Sequence, residues 1–237
     1  MAIRLVVFDA VGTTVRDGGR GVQRAMHDAI AVTGLVLREN AMSGITGLGK
    51  AQAIRTLLEG HGRDELLPRT DAIHADFVAR MRRHFREDQG VGPIEGVEQT
   101  FAALRARGIA VALDTGFSRA VLDEILARLG WDGPTSPLDA TIASDEVARG
   151  RPYPDMIDAL RTRLGGIPYT EVAKVGDTPV DLQEGTMARC GLVVGVLTGV
   201  HDQVSLMQHP NDALIPSVAD LPEILTTLGL MGANPVQ

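Results

Sequence analysis

The chain is short of several residue types, and each shortage excludes something. It has one cysteine, Cys190, so no disulfide can form within it, and a reducing compartment fits. Aromatic residues make up 3% of its 237 residues, too few for base-stacking platforms. Basic residues are outnumbered, 23 Lys and Arg against 30 Asp and Glu, and a net charge of −7 disfavours a polyphosphate backbone as partner. No nucleic-acid partner is expected. A small anion remains acceptable, because the field inside a site can oppose the overall charge. No apolar run approaches the ~20 residues of a membrane helix, and no signal-type segment precedes the first strand near Ile3. A cytoplasmic protein without a membrane partner is expected. Internal repeats and low-complexity stretches are absent.

Hydrophobic residues make up 44%, a globular proportion. Short apolar runs predict strands over residues 5–8, 109–113, 140–143, 172–175 and 192–196, with a shorter edge strand at 213–215. Amphipathic stretches predict helices over 96–107, 119–129, 154–164 and 182–188. Strands alternating with helices require crossovers and a parallel sheet. The expected fold is α/β, with a Rossmann-like parallel sheet core. About a hundred residues separate the first two strands, far more than a crossover needs. Helical patterns fill that interval at 22–33, 51–59 and 72–86, so a helical cap domain is expected to be inserted there. The expected units are a core of 1–15 and 96–237 and a cap of 16–95. Glycine-bearing linkers at 15–19 and 90–94 would be its hinges, and the cap would act as a lid. Its apolar surface would support a homodimer. Arg80, Arg82, Arg83 and Arg86 cluster on the third cap helix, but Asp76, Glu87 and Asp88 surround them. That pattern reads as a solvated face or a cap contact. The tail, 231–237, is expected to fray.

Chemistry concentrates at the predicted strand ends. Asp9 ends the first apolar run and is followed by Gly12-Thr13-Thr14. Thr115 and Gly116 follow the second run, offering a hydroxyl and an amide to a phosphate oxygen. Arg151 precedes a helix, and its guanidinium could neutralise an anion or the Asp9 carboxylate. Asp177 and Asp181 follow the run at 172–175 and could hold Mg²⁺ through oxygen ligands. Helix capping is a rival role for Asp181.

Asp9, Thr115, Arg151 and the Asp177/Asp181 pair resemble, in order, the four motifs of the haloacid dehalogenase superfamily. The set is much more specific than any one motif. The resemblance implies a hydrolase in which Asp9 attacks phosphorus and water then opens the aspartyl phosphate. It implies Mg²⁺ held by Asp9, Asp177 and the main-chain carbonyl of Val11, with Asp181 beside them.

Most phosphatases of that superfamily carry an acid two residues after the nucleophile, and here that position is Val11. Val11 cannot protonate a leaving alkoxide, a step commonly worth ~10²–10⁴ in rate. Lys50, at the start of a cap helix, offers another route. Helix N-termini disfavour cations, and a lysine with free amine can form a Schiff base with a carbonyl. By itself Lys50 reads as a solvated lysine. With Val11 it points to a β-carbonyl phosphonate, whose P–C bond can break into the iminium without an acid.

The combination resembles the phosphonoacetaldehyde hydrolase (phosphonatase) family. Gly47-Leu48-Gly49-Lys50, Gly150-Arg151-Pro152-Tyr153-Pro154 and Lys174-Val175-Gly176-Asp177-Thr178 match its motifs. The resemblance implies Asp9, Lys50, Thr115 and Arg151 as catalytic residues. Thr13, Gly116, Gly47 and Gly49 are carried over as substrate-binding positions. Three positions depart from the family: Ala53 replaces a proton-relaying histidine, Phe117 a tyrosine, and Ala10 a large aromatic. His27, early in the first cap helix, could replace that relay. The other functions compatible with the motifs are a phosphomonoesterase, a dehalogenase acting at carbon, and a silent phosphoryl-binding domain.

Overall fold

The computed structural model describes residues 2–38, 40–42 and 44–231. The chain opens with strand β1 (Leu5–Asp9) and a short strand β2 (Val15–Asp17). Helices α1 (Gly21–Ala31), α2 (Lys50–Gly60) and α3 (Thr70–Glu87) follow, and strand β3 (Val91–Pro93) brings the chain back. Strands and helices then alternate through α4 (Val97–Arg105), β4 (Ala110–Thr115), α5 (Arg119–Leu129), β5 (Ala140–Ala143) and α6 (Asp155–Arg163). The alternation continues with β6 (Val172–Gly176), α7 (Pro179–Met187), β7 (Leu192–Val196), α8 (Gln203–Leu206), β8 (Ala213–Ile215) and α9 (Leu221–Thr227).

Six strands form one sheet in the order β5-β4-β1-β6-β7-β8, and every neighbouring pair is parallel. The α/β fold with inserted helices is therefore as expected. β1 is central, and all five of its residues are buried. Its unbroken apolar run follows from burial on both faces. Alternation sends Val6 and Phe8 to one face, with Val97, Phe101, Val121 and Leu225. Leu5 and Val7 go to the other, with Met156, Ile157 and Leu160 of α6.

The connections at 15–19 and 90–94 are not simple linkers. β2 and β3 pair antiparallel, with Val15 opposite Pro93 and Asp17 opposite Val91. Two segments leaving and re-entering at one point satisfy each other's backbone groups. Each is three residues long, too short to show a strand period. The basic cluster on α3 makes a contact: Arg82 and Arg86 both pair with Glu124 of α5. Phe77 and Phe85 of α3 pack beside it against Phe117, with ring centroids 6.2 and 5.9 Å away. The expected fraying concerns residues 232–237, outside the described residues, whereas Met231 packs on the core.

Phe101 is fully buried between Phe8 and Trp131, at centroid distances of 5.2 and 5.4 Å. Phe101→Ala is expected to cost about 3–5 kcal/mol of stability, read from urea unfolding.

Candidate active site

Parallel pairing puts the carboxyl ends of β1, β4 and β6 at one edge, where open α/β sheets bind ligands. Asp9, the last residue of β1, lies opposite Asp114 of β4, and Thr115 ends β4. Asp177 directly follows the end of β6. The chain before α6 brings Arg151 back under these strand ends, and α7 adds Asp181 and Glu184, one helical turn apart.

Arg151 is 1% exposed and sits among four carboxyl groups. Its Nη1 lies 2.5 Å from Asp9 Oδ1 and 2.9 Å from Asp181 Oδ1, and its Nε lies 3.2 Å from Glu184 Oε2. Its Nη2 donates to Asp114. Lys174 Nζ, from the middle of β6, reaches Asp114 at 2.6 Å and Glu184 at 2.9 Å. Burial alone would raise Asp114, but Arg151 and Lys174 outweigh it and hold the carboxyl below its usual range. Asp9 goes the other way. Burial pushes it up to about 6, with Arg151 opposing and Asp181 reinforcing. Burial and Asp114 push Glu184 up to about 8.

The helical insertion contributes Lys50. It begins α2, is 8% exposed, and donates from Nζ to the Leu48 carbonyl at 3.1 Å. The ammonium lies 4.8 Å from the Phe117 ring centroid. Its pKa is lowered to about 8, chiefly by burial, with Arg151 adding to the effect and Asp9 opposing it. The segment before it rides directly on the core. A Cβ at Gly116 would stand 2.7 Å from the Gly47 carbonyl and 2.6 Å from that of Leu48. Gly47 itself has φ +85° and no room for a side chain against Thr178 and Val180. Glycine at both positions lets the two segments touch and sets Lys50 over the strand ends.

A cavity of about 760 Å³ joins these parts, lined by Asp9, Val11, Gly47, Lys50, Thr115, Gly116, Arg151 and Asp177 among others. Three expected site residues are set back from it. Thr13 is buried and donates its hydroxyl to Asp177 Oδ1 at 3.0 Å, so it holds a carboxylate instead of facing a substrate. Gly49 is the residue before α2 and faces Ser144. Asp181 is buried in the reciprocal cap of α7: its Oδ2 accepts from Thr178 Oγ1 at 2.5 Å and from Thr178 N at 3.2 Å. Its Oδ1 faces Arg151 and Lys174. Its rival role, helix capping, is thus filled by Oδ2. His27 is exposed on α1 and does not line the cavity, and neither does any other histidine among the described residues.

The sequence reading gives no role to Asp114, Glu184 or Lys174, the last of which only opens a matching motif. A signal existed for two of them, since Lys174 interrupts an apolar run and Asp114 ends one, in strands that a parallel sheet buries on both faces. A buried charge there demands a partner. Glu184 carries no such signal, being one acid among many on helices.

Carboxylate oxygens of Asp9, Asp114 and Asp181 lie within 4.8 Å of one another, close enough to share a metal ion. The cations set among them are Arg151 and Lys174. Five buried carboxyl groups meet three buried cations, which are the only buried charged side chains among the described residues. The excess is felt most at Asp177. Burial, then Asp9 and Asp181, raise it well above the usual carboxylate range, and only hydrogen bonds from Thr13 and the Val200 amide oppose them. A hard divalent cation beside Asp9 and Asp177 suits both the oxygen donors and the surplus charge.

The chain belongs to the haloacid dehalogenase-like hydrolases, whose family pattern it matches over residues 3–189. It is therefore a hydrolase. Phosphonoacetaldehyde hydrolase of Bacillus cereus (strain ATCC 10987 / NRS 248) is 30% identical over 213 residues, covering 84% of this chain and 77% of that protein. The enzyme of that name from Bacillus thuringiensis (strain Al Hakam) is 29% identical over 210 residues, with the same coverage. Among solved structures, a phosphonoacetaldehyde hydrolase-like protein from Oleispira antarctica superposes with a TM-score of 0.83 at 21% identity, covering 99% of this chain and 96% of its own. A haloacid dehalogenase-like hydrolase from Bacteroides fragilis gives 0.77 at 17% identity, covering 92% and 99%. These two establish likeness of fold.

Replacing Asp114 leaves Arg151 and Lys174 buried beside a neutral side chain. Asp114→Asn is expected to destabilise the fold by about 3–5 kcal/mol, measured by denaturant unfolding.

Proposed function

We propose that this chain hydrolyses β-carbonyl phosphonates, with Asp9 as the nucleophile towards phosphorus and Lys50 as the amine that activates the carbonyl. The observation that carries this reading is Lys50 itself, a buried amine brought down to about 8 and lining the same cavity as Asp9. Residues 16–95 act as the cap and 1–15 with 96–237 as the core, so closing the cap completes the site.

Free Lys50 amine adds to the carbonyl and loses water, giving a protonated imine. The Asp9 carboxylate then bonds to phosphorus as the P–C bond breaks, and that electron pair moves into the iminium to form an enamine. Val11 need supply no proton, because the departing carbon is stabilised by the imine nitrogen. The enamine carbon takes a proton from solvent, and water releases the carbonyl product and the Lys50 amine. A further water opens the aspartyl phosphate. The net change is one water consumed, with phosphate and a carbonyl compound formed. Thr115 donates to a phosphoryl oxygen, and Arg151 holds the Asp9 carboxylate in place. Asp9, Asp177 and the Val11 carbonyl would hold Mg²⁺, which when bound offsets the charge of the phosphoryl group.

Phosphate-ester hydrolysis is the second reading. It is favoured by Ala53, buried where the phosphonatase family has its relaying histidine.

Borohydride trapping with phosphonoacetaldehyde and Mg²⁺, read by peptide mass, separates the two. An adduct on Lys50 with release of phosphate and acetaldehyde is expected. Its yield should rise with pH and reach half its plateau near 8, because only the neutral amine condenses. Absence of both adduct and phosphate overturns the P–C reading. Turnover of phosphate esters without an adduct installs the second. Thr13→Ala, which removes the donor to Asp177, is expected to weaken Mg²⁺ binding about 10–100-fold by calorimetry.

A further inference from the structure

Lys50 meets the core at Gly116 and Phe117. Its main-chain N–H donates to the Gly116 carbonyl at 3.2 Å, and its ammonium stands 4.8 Å from the Phe117 ring centroid. Both contacts depend on how residues 116 and 117 are turned, and glycine turns more freely than any other residue. Ser144 ties these two residues from behind. β5 runs beside β4 with Ala143 opposite Thr115, so the residues after the two strands, Ser144 and Gly116, come side by side. Ser144 N donates to the Phe117 carbonyl at 3.0 Å. Its hydroxyl has one proton for two carbonyls, that of Phe117 at 2.9 Å and that of Gly116 at 3.2 Å. The Gly116 carbonyl therefore faces two donors, the Lys50 amide and the Ser144 hydroxyl. A Cβ at Gly49 would stand 3.7 Å from Ser144 Cβ, so the residue before α2 also rests against Ser144.

We infer that Ser144 is a positioning residue for Lys50, which it holds over the cavity by tying the Gly116 and Phe117 carbonyls beneath it. Ser144 does not line the cavity and acts only through residues 116 and 117. The inference rests on the reading above that Lys50 is the condensing amine.

Lys50 can be followed by itself, because the chain's only other lysine, Lys174, is fully buried in ion pairs. Reductive methylation of the full chain with formaldehyde and cyanoborohydride, mapped by peptide mass over a pH series, reports the neutral amine without any substrate. The charged groups that act on Lys50 or feel it are Asp9, Arg151, Asp177, Asp181 and His74, and every variant keeps them. The unaltered chain is expected to label with a midpoint near 8. Ser144→Ala loosens the cover that keeps water from the amine, and the midpoint is expected to rise by about half to one pH unit. Ser144→Cys keeps the size but donates weakly, so it is expected to fall between the two, and it serves alone if Ser144→Ala does not fold. Ile215→Val, in β8 at the far edge of the sheet from β5, removes a buried methyl group and lowers stability without touching this segment. Its midpoint is expected to stay at the unaltered value. An unmoved midpoint in the Ser144 variants overturns the inference and leaves the Lys50 reading standing. An equal rise in Ile215→Val means that the midpoint follows stability alone, and also overturns it. A midpoint near the ordinary lysine value of 10.5 in the unaltered chain fails the Lys50 reading, and the inference falls with it.

Discussion

Arg151 holds together four carboxyl groups that would repel one another in a protein interior. Asp9, Asp114, Asp181 and Glu184 come from three separate elements, and the guanidinium touches all of them. Its planar fork of donors allows this, where a lysine's point charge would not. Lys174 supports it from the floor of the sheet. Burying charge is costly unless partners are close, and the cost falls here on one small region. Apolar layers on both faces of the sheet offset it. Perturbed carboxyl groups gathered in this way are a common feature of functional sites.

The same surroundings act in opposite senses on Asp9 and Lys50. Burial raises Asp9 to about 6 and lowers Lys50 to about 8. Both shifts favour the neutral form, so near neutrality each group stands closer to its titration than it would in water. Arg151 opposes the shift at Asp9 and reinforces it at Lys50. One buried cation thus keeps a carboxylate charged and helps to free an amine. Close passage of the segment at Gly47 and Leu48 over Gly116 is what lets both groups share the field.

Much of the fold was legible because parallel strands and amphipathic helices leave periodic traces. The six strands of the sheet appear where apolar runs predict them, and the helical insertion where the crossover is too long. The β2–β3 pair left no trace, since three residues carry no period. At the site, the motif residues lie at one sheet edge as their positions after apolar runs imply. Roles within that edge were less legible. Thr13 and Asp181 sit in matching motifs, yet one supports Asp177 and the other caps a helix. His27 shows the same limit: a helix can be placed by pattern, but the face that meets the site depends on how it docks.

By itself the sequence determined the order of strands and helices, the acids at strand ends, and the absence of one at Val11. Those follow from local pattern, which a chain carries wherever it folds. Only the tertiary structure decided which carboxyl meets which cation. Asp9 and Arg151 are 142 positions apart, and Coulomb energy depends on their separation in space. It also decided that Lys50 is a buried amine and not a solvated one, because a pKa belongs to the surroundings of a group and not to the residue alone.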